Sequence, residues 1–291
     1  MKARSLAALC VVVAAALGVG AAGCSSAPDG RPHAVRTLPA PRTPSRTPTT
    51  ADRNSARFTA LMRRLAAWSD EHQSVTATEM VVFDGRKVRF DGLFTWGGQP
   101  AMNVTSPTAQ LGLQRLHPAN RTRVLLVGDS YYYGVDPRPS GPLKGKHWMR
   151  APLPQGDKDG AATHGLQAHP EFGLRMLPDA TGWTDLGLDN LDGTVGRHYQ
   201  GTVTLAALAA DTRLASRVGS SLPTLLAGAD NAELDVWADA HGKPLRWVAQ
   251  MGTGRSVAVD LFAFGGRRSI TAPPAQDTVD AATLSGRPTT V

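Results

Sequence analysis

The chain has 291 residues, enough for one large domain or two small ones. With 42% hydrophobic and 19% charged residues it can bury a sizeable core, which excludes a disordered or fibrous chain. The formal charge is +7, but the region from Arg53 to Ala275 holds 24 basic and 20 acidic residues, a residue of +4 too diffuse for a nucleic-acid partner. The only cysteines are Cys10 and Cys24. The body of the chain therefore has no disulfide, no thiolate nucleophile and no cysteine-ligated metal.

Lys2 and Arg4 form a charged opening and Leu6 to Val19 an apolar run, followed by Ala21-Ala22-Gly23-Cys24. This pattern is a signal peptide over residues 1–23, and small residues before a cysteine suit lipoprotein processing with Cys24 as the lipidated N-terminus. An ordinary secretory signal cut nearby is the alternative. It resembles the bacterial lipobox, with Ala21 where Leu is usual. The apolar run is too short for a good permanent span, whereas two or three acyl chains on Cys24 would anchor the protein to the cytoplasmic membrane from its outer face.

Residues 24–53 alternate six prolines (Pro28, Pro32, Pro39, Pro41, Pro44, Pro48) with Thr, Ser and Arg. With almost nothing apolar to bury, they read as a disordered tether reaching up to roughly 90 Å. A domain is expected over residues 54–275 and a flexible tail over 276–291.

The domain opens with a helix capped by Asn54 or Ser55, its apolar stripe formed by Phe58, Leu61, Met62, Leu65 and Trp68. Strands follow at Thr76 to Phe83 and Lys87 to Trp96, joined at Asp84-Gly85-Arg86, then at Ala101 to Ser106, Thr122 to Val127, Ser130 to Val135 and His147 to Ala151. His169-Pro170 opens a short helix to Leu177. Strand patterns resume at Thr184 to Leu191 and Gly196 to Leu205, with Ala206 to Val218 helical and a short segment from Leu222-Pro223. The last third alternates most clearly: Glu233, Asp235 and Asp239 against Leu234, Val236 and Ala238, then Leu245 to Met251 and Arg255 to Phe264. Period-two alternation in hairpin-linked strands predicts a long antiparallel meander, buried on one face, with a few helices over its apolar side: fold class α+β.

Motifs for catalysis are weak. Gly128-Asp129-Ser130 after Val124-Leu125-Leu126-Val127 resembles the first block of the SGNH hydrolases, but no Asp-x-x-His occurs, and a hairpin turn explains the same residues. His164 and His169 lack a third metal ligand nearby, and Asp189 and Asp192 fall at a turn. No enzyme, cofactor or metal is expected.

A pattern runs through Val88-Arg89-Phe90-Asp91-Gly92, Trp148-Met149, Leu191-Asp192-Gly193, His198-Tyr199-Gln200-Gly201, Asp235-Val236-Trp237-Ala238-Asp239-x-x-Gly242-x-Pro244, and Phe264-Gly265 before Ala272-Pro273-Pro274. With the lipobox cysteine and the Thr/Pro tether, this resembles the LppX/LprG-type lipoproteins of high-GC Gram-positive bacteria, which share the LolA/LolB-like fold. The resemblance covers roughly residues 55–275. It implies a curved half-barrel of antiparallel strands whose helices cover the concave face and enclose a hydrophobic cavity. It further implies an acyl lipid or glycolipid as partner, moved away from the membrane into the cell envelope, or in some relatives a regulatory role through a membrane protein partner. The family's cavity has no short signature, so strand parity supplies the candidate lining: Phe90, Phe94, Tyr199, Val203, Leu234, Val236, Leu245, Trp247, Val259 and Leu261. The proline-bearing insert from Asp136 to Lys146 and the Gly/His-rich stretch 156–170 are placed to narrow the cavity mouth. A regulator would instead fill its core and present outward Trp237 or Phe262 as an interface.

Overall fold

The computed structural model describes residues 50–83, 85–153, 169–214, 229–252 and 254–284. The signal segment, Cys24, the chain to residue 49, the stretch 154–168 with His164, the expected helix beyond Leu214 and the Leu222-Pro223 segment lie outside the described residues.

Helix α1 (Thr50–Glu71) is followed by β1 (Ser74–Phe83), β2 (Arg86–Thr95) and β3 (Ala101–Pro107). The short α2 (Thr108–Leu111) leads into β4 (Arg121–Val127), β5 (Ser130–Gly134) and β6 (Trp148–Pro152). Next come α3 (Pro170–Met176), β7 (Thr181–Leu191), β8 (Thr194–Thr204) and α4 (Leu205–Ala210). The chain then forms β9 (Asn231–Ala238), β10 (Pro244–Gln250), β11 (Arg255–Gly265), β12 (Thr278–Asp280) and α5 (Ala281–Leu284). The strands form one sheet in the order β12-β6-β5-β4-β3-β2-β1-β11-β10-β9-β8-β7. Its two ends do not meet, so it is an open sheet rather than a closed barrel. Every neighbouring pair is antiparallel except β12 and β6. Bulges between Thr76 and Ala77, between Pro244 and Arg246, and within β7 bend it.

The strands form where alternation predicts them, because an open sheet covered on one side needs apolar residues at every second position. On β1, Val75 and Ala77 face the core, while Thr78 on the other face donates its hydroxyl to Asp91 Oδ1 at 2.7 Å. That outer face is wet and polar: Asp91 also receives the guanidinium groups of Arg89 and Arg121.

Helix α1 packs its predicted stripe inward, with Met62 and Leu65 fully buried. Three tryptophans fasten the helical layer through their indole N–H groups. Trp68 donates to the Gly242 carbonyl at 3.0 Å, Trp96 to Ser69 at 2.7 Å and Trp247 to Pro170 at 3.0 Å. Helix α3 packs against α1, β10 and β1. The expected helical cover is therefore present: α1, α3 and α4 lie over β1, β7, β8 and β10, and the short α2 and α5 lie against β2 and β3 and against β6 and β12.

Two expectations are corrected at the chain's ends. Helix α1 starts at Thr50, inside the stretch assigned to the tether. The chain also stays with the sheet past residue 275: β12 pairs in parallel with β6, Thr278 opposite Trp148 and Asp280 opposite Arg150. A three-residue strand is too short to show alternation, which is why composition alone marks this segment as tail. Val279 joins Leu113, Val135, Leu143 and Met149 in a second small core. Leu143 belongs to the 136–146 insert, so that insert seals a satellite core at one edge of the sheet.

Candidate functional site

The apolar face of the sheet is organised in rows that cross the strands. One row runs Phe90, Glu79, Val259, Trp247, Val236, Tyr199, each residue paired with the next across β2, β1, β11, β10, β9 and β8. A second runs Val81, Val257, Ala249, Leu234, Gly201. Thus Phe90, Tyr199, Val236, Trp247 and Val259, selected from strand parity, share one line, with Leu234 in the next and Val203 opposite Ala232.

Burial separates these candidates. Phe94, Tyr199, Val203, Leu234, Val236, Trp247, Val259 and Leu261 are all buried, packed in the main core. Tyr199 meets the Phe58 ring of α1 edge-on at 6.2 Å, and Phe94 meets the ring of buried His169 edge-on at 5.9 Å. Trp247 lies under α3, which can sit there because residue 173 is glycine. Gly201 serves the same purpose opposite Trp183, whose ring comes within 2.7 Å of where a Cβ would stand.

Phe90 behaves differently. It is only partly buried, as are Val81, Leu111, Tyr131, Tyr133 and Met251, although all pack against the main core. Each of these apolar residues packs on the core and still keeps some accessible surface. Tyr131 and Tyr133 stack on each other at 6.0 Å, and burial raises both phenols, that of Tyr133 to about 12. After burial, the charges of Tyr133 and then Glu79 push Tyr131 up further.

Leu245 is corrected. Alternation puts it beside Trp247, but the bulge between Pro244 and Arg246 resets the register. Its Cδ1 instead stands 3.1 Å from where a Cβ on Gly196 would lie, next to Trp237 on the outer face. Trp237 does point outward, yet it is only 8% exposed. His198 stacks on it at 4.0 Å, Arg246 covers it at 5.9 Å and its indole N–H donates to Asp189 at 3.0 Å. Phe262 remains open, at 56% exposure.

Parity reasoning passed over Glu79, Tyr131 and Tyr133. All three were legible in the alternation itself: Glu79 takes the inward beat after Val75 and Ala77, and the tyrosines take alternate beats of β5. Glu79 is fully buried, neither carboxyl oxygen has a hydrogen-bond partner among the described residues, and burial raises its pKa well above the usual carboxylate range.

Ser130 closes a two-residue hairpin turn of Gly128 (φ 61°) and Asp129, pairing with Val127 as the first residue of β5. Its hydroxyl bonds Asp129 at 2.8 Å and receives Arg150 Nε at 2.9 Å, which is turn chemistry with no histidine in it. Among the described residues no group of three or more His, Cys, Asp or Glu side chains is placed to hold a metal ion. No helix among the described residues is long and apolar enough to cross a membrane.

An open, bulge-bent sheet, antiparallel except for β12 and β6, with helices on its apolar face is the α+β class that the sequence predicts. No family model matches the chain, and no curated protein sequence matches it. Among solved structures it is similar to the crystal structure of LprF from Mycobacterium bovis, at 14% identity and a TM-score of 0.48, covering 75% of this chain and 98% of that one. It is similar to the lipoprotein LppX from Mycobacterium tuberculosis at 11% identity and a TM-score of 0.48, covering 74% of this chain and 99% of that one. A LolA superfamily protein from Nitrosomonas europaea is similar at 11% identity and a TM-score of 0.27, covering 73% of this chain and 94% of that one.

Proposed function

We propose that this protein is a lipid-anchored extracytoplasmic lipoprotein that binds the acyl chains of a lipid or glycolipid against the apolar face of its sheet, for transfer toward the cell envelope, without catalysis. The observation that supports this most is the set of apolar side chains that pack against the main core yet stay partly accessible. Phe90, Val81, Tyr131, Tyr133, Leu111 and Met251 pack on the core yet are not closed off by it. A protein that needed only a core would close such a face, since each buried CH₂ contributes about 0.8 kcal/mol. An acyl chain laid there gains the same burial. Anchoring through Cys24 would keep the site within reach of the membrane.

Native mass spectrometry of the mature chain, released from its anchor by Cys24→Ser, tests the reading. Extra mass that extracts into organic solvent as acyl lipid supports a carrier. A bare protein mass, unchanged after incubation with membrane extract, overturns it.

A second reading has its own observation. Leu186 and Leu188 of the edge strand β7, with Val195 across the hairpin, are exposed, Leu188 at 71%. An open sheet edge with apolar side chains suits a protein partner. That regulator predicts copurification of a membrane protein, lost on Leu188→Lys.

A further inference from the structure

Glu79 is out of keeping with its surroundings. It sits in mid-strand on β1, between Phe90 of β2 and Val259 of β11, with Ala77 and Val81 as its neighbours on the same face of its own strand. Among the described residues no hydrogen bond or ion pair reaches its carboxyl group, and both oxygens are buried. Leaving a buried polar group unsatisfied is costly, and an apolar side chain of similar size would remove the cost. The strand has no structural use for a carboxyl here, because its ladder hydrogen bonds are backbone ones and its outer-face polar network belongs to Thr78 and Asp91. Two of its neighbours on this face, Phe90 across the strand pair and Val81 two residues on, are only partly buried and keep accessible surface.

We infer that Glu79 is the polar contact of the ligand site, hydrogen-bonding an uncharged oxygen function on an otherwise apolar chain, so that the site selects chains bearing a carbonyl or hydroxyl over bare hydrocarbon. The inference rests on the proposed apolar-ligand function and adds a selectivity to it. Burial holds the group in its neutral form, in which it both donates and accepts. A carbonyl oxygen on a chain laid beside Phe90 accepts from it. A hydrocarbon there leaves the carboxyl unsatisfied.

The test is competition against the oxygen-free fluorescent probe N-phenyl-1-naphthylamine on the mature chain with Cys24→Ser. Methyl palmitate and 1-hexadecene serve as competitors. The wild-type site should prefer methyl palmitate by about tenfold, the worth of one buried hydrogen bond. Glu79→Leu should abolish that preference while still binding the probe and melting at a higher temperature, and Glu79→Gln should keep it. A preference that survives in Glu79→Leu, or one absent from a wild type that binds both competitors, overturns the role of Glu79. Failure of the wild type to bind the probe or either competitor overturns the carrier reading itself.

Discussion

A methyl group on Gly173 would stand 2.2 Å from Cδ2 and from Cε2 of Trp247, whose indole N–H donates to the Pro170 carbonyl at 3.0 Å. Helix α3 and strand β10 are thus seated ring against backbone, with the first turn of the helix held by the same ring. Gly173→Ala gains helix propensity but forces the ring or the helix to move. Overpacking of this kind costs about 1–3 kcal/mol, more than the roughly 1 kcal/mol gained by replacing a helical glycine. Urea denaturation should show a lowered midpoint with little change in slope. An unchanged or raised midpoint would show that α3 is free to shift.

Asp179, at the end of the 3-10 turn after α3, is raised from 3.8 to about 6 by burial first and by the charge of Asp211 second, with Arg213 opposing. A raised acid binds its proton more tightly in the folded state than in the unfolded one. Its contribution is fully present below about pH 4 and is lost as pH rises through 6. Asp179→Asn has no such proton to lose. The melting temperature of the variant relative to wild type should therefore climb between pH 4 and pH 6 and level off above. A difference that stays constant across that window would refute the assignment.

Removing residues 276–291 should destabilise the domain. It takes away Val279 from the cluster of Leu113, Val135, Leu143 and Met149, and Asp277 from His147, whose Nδ1 it holds at 2.6 Å. Exposing one such aliphatic side chain costs about 1.5–3 kcal/mol. Thermal melts of the truncated and complete chains give the comparison. Equal melting temperatures would mean that β12 only rests on the sheet edge.

Cys24→Ser should block incorporation of labelled palmitate and shift the protein from the detergent phase to the aqueous phase in a cloud-point partition. Persistent labelling of that variant would place the anchor elsewhere.

Much of the fold is readable from local order. The stripe Phe58, Leu61, Met62, Leu65 and Trp68 gives α1, and β1, β2 and β8 to β11 follow their alternation to within a few residues. These elements are legible because a strand turns its side chains over every residue and a helix every 3.6, so one buried face writes itself into the spacing. The LppX/LprG-type resemblance points to the same α+β sheet. Glu79 was equally legible as an inward beat, and only the habit of reading that beat as apolar hides it.

What alternation cannot carry is the pairing between distant segments. The bulge that turns Leu245 outward arises where Pro244 meets Ala238 and Arg246 meets Trp237, a mismatch between two strands rather than a property of either. The parallel pairing of β12 with β6 joins residues about 130 apart in the chain, as His147 and Asp277 show. Which inner-face residues are fully buried, as Trp247 under α3, and which are only partly so, as Phe90 and Tyr131, depends on where the helices come to rest. The sequence by itself determined which residues can face inward, because side-chain periodicity is set within a few residues. Only the tertiary structure decided which of those inward residues are sealed and which remain partly exposed, because burial is a relation between elements that the chain brings together from far apart.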